Sequence, residues 1–165
     1  LGDALGVAVQ EHGKSAVDAL IAELPRTSDP ALRNGILGGL ASVEDPVLIE
    51  QVRNFALTKP VKVGEMGMLL RGGRDTLAQR DAMWTWFTAH YQQILDRTGS
   101  FSGGRLPSLA AGGGCSSAEY DRLQAFFKTR EKDAAGIGRG LAQTGESIQL
   151  CSALKAKQDP AAILR

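Results

Sequence analysis

No stretch of this chain alternates apolar and polar residues for five or more positions. That absence removes the half-buried strand, because a strand with one face in a core must repeat every second residue. What repeats instead is the helical spacing of three and four. Val17, Leu20, Ile21 and Leu24 make one apolar stripe, and Leu32, Ile36, Leu37 and Leu40 make another. Val47, Leu48, Val52, Phe55 and Ala56 make a third. The second and third each open on aspartate-proline, at Asp29-Pro30 and Asp45-Pro46. An aspartate there accepts from the exposed amides of a first turn, and a proline at the first helical position lacks only an N–H that would have no partner.

The remaining segments read the same way. Leu1 to Glu11 is an incomplete first helix that stops at Gly13. After Lys59-Pro60, Val61, Val63, Met66, Leu69 and Leu70 give a short helix ending at Gly72-Gly73. From Asp75, which can cap it, a longer helix runs to Gly99 with Leu77, Trp84, Phe87, Tyr91, Ile94 and Leu95 on its stripe. Trp86 lies on another face, so this helix should be covered on two sides. Leu106, Leu109 and Ala110 form a small-residue helix before Gly112-Gly113-Gly114. Ser116 and Glu119 are spaced as a capping box for a helix carrying Tyr120, Leu123, Phe126 and Phe127. A last helix is predicted from Asp133 to Lys157, with Ile137, Leu141, Ile148, Leu150, Cys151 and Leu154, and Asp159-Pro160 ends it. Gly136, Gly138, Gly140 and Gly145 weaken that helix by up to ~1 kcal/mol each, so kinking or close backbone contact is expected there. The fold class is therefore all-α, with about nine helices in antiparallel pairs every ~32 residues, an irregular HEAT/armadillo-like helical-repeat solenoid. Residues 1–165 read as a single domain.

Bulk properties narrow the partners. A net charge of +1 gives no electrostatic reason to expect nucleic acid or an anionic membrane surface. No apolar run approaches the ~20 residues that span a bilayer. Leu1 already sits in a helical pattern without an initiating Met, which reads as a fragment of a longer chain.

Catalytic patterns are missing. The two histidines, His12 and His90, are far apart and have no acidic ligand set beside them. His12 suits the negative end of a helix, and His90 reads as a partly buried structural residue. Gly136-Ile137-Gly138-Arg139-Gly140 resembles a dinucleotide fingerprint only superficially, since no strand precedes it. Cys115 has no evident histidine partner that would make it a nucleophile. The reading assigns no catalytic residue, no metal ligand and no cofactor to this segment.

Cys115 and Cys151 are the two cysteines. If the last two helices form a hairpin, the legs from Cys115 to the turn and from the turn to Cys151 are ~23 and ~27 Å at 1.5 Å per residue. That brings the thiols to nearly one level, as a disulfide requires. The alternative is two buried thiols packed as small apolar groups. A bridge would imply a periplasmic or secreted location, and reduced thiols a cytoplasmic one.

The order of elements resembles a known family. Trp84-Thr-Trp86-Phe87 runs into Tyr91-Gln-Gln-Ile-Leu-Asp-Arg-Thr-Gly99, followed by Arg105-Leu-Pro-Ser-Leu109, the Ser116–Phe127 helix and a long final helix. Upstream, Leu32 to Ile49 gives a leucine- and alanine-containing helix, then aspartate-proline. This is similar to the C-terminal helical domain of the gluzincin zinc aminopeptidases, such as the puromycin-sensitive and endoplasmic-reticulum enzymes. The resemblance implies a non-catalytic domain that covers the active site and limits peptide access. Zinc would belong to a catalytic domain outside this chain, and that domain and peptide substrate would be the partners. Arg33, Arg71 and Arg105 become candidate peptide contacts, Arg105 above all, because a guanidinium offers a fixed fork of donors. The Ala/Gly-rich composition suggests a bacterial source. The alternative is a helical-repeat protein-binding scaffold with no enzyme attached.

Overall fold

The computed structural model describes residues 2–99 and 102–157. The expected stop at Asp159-Pro160 and the role of Leu1 lie outside them. Among the described residues there are ten α-helices and no strand. The chain divides into two compact units, Leu1–Arg97 and Thr98–Arg165.

The first unit contains α1 (Gly2–His12), α2 (Lys14–Glu23), α3 (Pro30–Ala41), α4 (Pro46–Ala56), α5 (Val63–Leu69), α6 (Leu77–Ala89) and α7 (Tyr91–Thr98, its final residue at the division). The aspartate-proline starts are as the sequence spells them. Asp29 Oδ1 accepts from the N–H of Ala31 at 2.7 Å and of Leu32 at 3.0 Å. Asp45 Oδ1 accepts from Val47 at 2.9 Å and Leu48 at 3.1 Å. The helices then bury Val17, Ile36, Leu37, Leu40, Val52 and Leu69, with α1 and α2 both packed on α3.

The tryptophan segment departs from its reading in three ways. Its cap is Thr76 rather than Asp75. Thr76 Oγ1 accepts from the N–H of Gln79 at 3.2 Å, while Gln79 Oε1 accepts from the N–H groups of Asp75 and Thr76. Thr76 and Gln79 hold the reciprocal spacing of a capping box, so the cap falls one residue later. The segment is also two helices, interrupted at His90, which explains why there are ten helices rather than nine. The Trp86 carbonyl accepts both the N–H of His90 at 3.0 Å and its ring Nδ1–H at 2.8 Å, and a side chain bonding into the ladder loosens a helix at that point. Finally, the buried face is Met83, Trp86, Phe87, Tyr91 and Ile94, while Leu77 is 56% exposed. Trp86 Nε1 donates to Asn54 Oδ1 at 2.7 Å and so ties α6 to α4.

The second unit holds a 3-10 turn (Gly103–Arg105), α8 (Leu106–Ala111), α9 (Ser117–Lys128) and α10 (Ile137–Lys157). Its core is Leu106, Leu123, Phe127, Ile137, Leu141 and Ile148. Ser116 Oγ accepts from the N–H of Glu119 at 3.3 Å, and Glu119 reaches back to accept from the N–H of Cys115 at 2.9 Å. The last helix starts at Ile137 rather than Asp133, because Gly136 takes φ 86°, a left-handed conformation that ends any helical run through it. The expected close contact is present. A side chain at Gly140 would sit 2.1 Å from the carbonyl oxygen of Gly104. The apolar stripe of α10 stops being buried after Ile148, leaving Leu150 63% and Leu154 55% exposed. With 21 residues against 12 in α9, α10 overruns its partner.

Candidate functional site

The three arginines proposed as peptide contacts have three different fates. Arg33 is interior, 5% exposed, and every N–H of its guanidinium is taken. Nε donates to Glu65 Oε1 at 2.8 Å, Nη1 to the carbonyls of Leu24 and Thr27 at 2.7 and 3.0 Å, and Nη2 to the carbonyl of Pro60 and Glu65 Oε2 at 3.0 and 2.8 Å. It fastens the turn after α2 to the start of α5 and has no donor left for a peptide. Hydrogen bonding to Glu65 raises the Arg33 pKa further. In return, Arg33 first, with the N–H of Lys62 and the nearby charges adding to it, holds the Glu65 carboxyl below its ordinary value of 4.5. Glu65 lies 32 residues from Arg33, so helical spacing gave no sign of the pair.

Arg71 is exposed on a groove of the first unit with Gln10, Glu44, Asp75 and Gln79. That groove carries both signs of charge and encloses about 320 Å³. Arg53 is 3% exposed and donates from Nη2 at 2.9 Å to the carbonyl of Gly73, one of the residues lining that groove. Burial, then the neighbouring Arg74, pulls its pKa below the usual guanidinium range.

Arg105 is exposed on a cleft of about 530 Å³ in the second unit, together with Ser102, Arg139 and Gln143. Arg139 is the functional candidate that the sequence reading missed. Its signal was the Gly138-Arg139-Gly140 segment, where glycines on both sides permit close backbone approach and leave one cation between them.

His12 ends α1. His90 is half-buried against the Trp86 ring, at 4.7 Å between centroids and 22° between planes. Among the described residues no group of three or more His, Cys, Asp or Glu side chains is placed to hold a metal ion. The described residues therefore do not fit a catalytic zinc. Cys115 and Cys151 are joined as a disulfide with Cα atoms 5.1 Å apart. It fastens the turn before α9 to the far half of α10.

Comparison with known proteins adds the family. The profile of the ERAP1-like C-terminal domain matches residues 2–150. Aminopeptidase M1 of Arabidopsis thaliana is 28% identical over 138 residues, which is 83% of this chain and 15% of that protein. Aminopeptidase M1-A of Oryza sativa subsp. japonica is 28% identical over 150 residues, 89% of this chain and 16% of that protein. The chain thus spans under one fifth of the length of these relatives.

Proposed function

The chain belongs to the ERAP1-like C-terminal domain family, and from that premise we propose that it serves as the non-catalytic C-terminal domain of a zinc-dependent aminopeptidase. In this reading it packs as stacked helical pairs beside a catalytic domain, covers the active site and limits which peptides enter. The observation that carries the proposal is the family match over nearly the whole chain. The two aminopeptidase relatives favour it over a free-standing binding scaffold. Exposed Arg105 and Arg71 are the side chains offered to peptide, because their forks can bind carbonyl or carboxylate oxygens. The disulfide supports an oxidising compartment, periplasmic or extracellular, since cytosolic thiols are kept reduced.

The test uses the intact aminopeptidase. Arg105→Ala should lower turnover of long peptides more than that of a single aminoacyl reporter, because only a long substrate reaches beyond the reacting centre. Equal losses on both would remove the peptide-contact role.

A further inference from the structure

We propose that the cleft between the Gly103–Arg105 turn and the first turns of α10 is a binding site for a small oxyanion, a carboxylate or a phosphate, gripped by Arg105 and Arg139.

The backbone there is built for one arrangement. A side chain at Gly103 would meet the carbonyl oxygen of Ala135 at 2.6 Å, and one at Gly140 would meet that of Gly104 at 2.1 Å. The missing side chains of Gly103 and Gly140 allow so close an approach. Arg105 follows Gly104, and Arg139 precedes Gly140, so the contact that joins the two segments also sets the two guanidiniums on one cleft. Two segments distant in sequence, each singled out for its glycines or its arginine, become one site.

The charge in the cleft is one-sided. Two guanidiniums, the Gln143 amide and the Ser102 hydroxyl line it, and no carboxylate does. Glu131, in the segment before α10, lies against Gly138 and lines a different groove. Among the described residues neither guanidinium has an ion-pair or hydrogen-bond partner. Two like charges sharing a cleft repel, and an anion between them converts that repulsion into attraction. The start of the 21-residue α10 adds the positive end of a helix dipole. Guanidinium forks match ligands that present two or more oxygens in fixed geometry, which both a carboxylate and a phosphate do. The volume of about 530 Å³ admits such a group with part of its attached molecule. None of this depends on the aminopeptidase reading, and the binding is measured without any catalytic assay.

Calorimetric titration of the protein at low ionic strength tests it, with three probes: inorganic phosphate, an acetylated tripeptide with a free carboxylate, and the same tripeptide as its C-terminal amide. Saturable one-to-one binding is expected for at least one of the two oxyanions and not for the amide. A tighter peptide acid assigns a peptide C-terminus, and tighter phosphate assigns a phosphate ligand. Arg105→Ala and Arg139→Ala should each weaken binding by about tenfold or more, the scale of one lost charge-assisted fork. Lys132→Ala removes the same charge from an exposed position and should change affinity less than about twofold. Circular dichroism melts serve to show that each variant is folded. No saturable binding to either oxyanion overturns the site. So does an equal loss in Lys132→Ala, which would mean diffuse attraction rather than a built cleft.

Discussion

The two units are fastened by different chemistry. In the first, buried and half-buried guanidiniums hold the turns. Arg33 ties three carbonyls and Glu65 together, Arg53 holds the Gly73 carbonyl, and Arg97 Nη2 donates to the carbonyls of Thr58 and Val61. In the second, a disulfide ties the turn before α9 to α10, while close backbone contact at glycine occurs in both, at Gly72 in the first and at Gly103 and Gly140 in the second. An ion pair taken out of water is held at a desolvation cost, and removing one partner strands the other charge. A covalent tie acts mainly by limiting the unfolded chain. The first unit should therefore respond to acid and the second to reductant.

The largest effect is expected at the ion pair. Glu65→Ala leaves the Arg33 charge inside without its carboxylate and should cost about 3–5 kcal/mol. Both tryptophans lie in the first unit, so the urea midpoint followed by their fluorescence measures that loss directly. A midpoint unmoved by the substitution would mean that Arg33 is satisfied by the carbonyls alone. The same pair predicts a pH dependence. The Glu65 pKa is lower in the folded chain than the ordinary 4.5, so its contribution is complete above that value and is lost as pH falls through the depressed folded pKa. Glu65→Gln should flatten this acid limb of the stability curve. An unchanged limb would place the acid sensitivity in other carboxylates.

Reduction should be similar in size and fall on the other unit. Opening the Cys115–Cys151 bridge, 36 residues apart in sequence, removes on the order of 4 kcal/mol in the chain-entropy model. Hydrogen exchange in α9 and α10 should accelerate, while α3 and α5 keep their protection. Faster exchange in α3 as well would show that the units unfold together, and the contrast between them would fail.

Helix caps give the smallest effect and act as the control. Asp29→Ala in the first unit and Ser116→Ala in the second should each cost ~1 kcal/mol, read by denaturant midpoint. Similar costs would mean that helix starts are equally made in both units, so the difference lies in their tertiary ties. A much larger loss from one cap would shift the contrast to local structure.

The all-α class and most helix starts were legible in the sequence. These are decided within one turn, by a cap, a proline and a stripe of apolar residues, and Asp29-Pro30, Asp45-Pro46 and Ser116 carry that information locally. The family was legible as well, because the order of helices and the Trp84–Phe87 segment run along the chain. Where the arginines sit depends on tertiary packing. Arg33 reads as a surface cation until Glu65, Leu24 and Pro60 close around it. Arg139 reads as a residue between two glycines until Gly104 packs on Gly140 and places Arg105 on the same cleft. The break at His90 and the late start of α10 belong with these, since a ring bonding a carbonyl and a glycine in the left-handed region interrupt helices that periodicity would continue. Helical spacing records which face is apolar. It carries no record of which polar groups, tens of residues apart, must find each other when that face is buried, because that pairing is set by the cost of leaving a charge or a carbonyl without a partner.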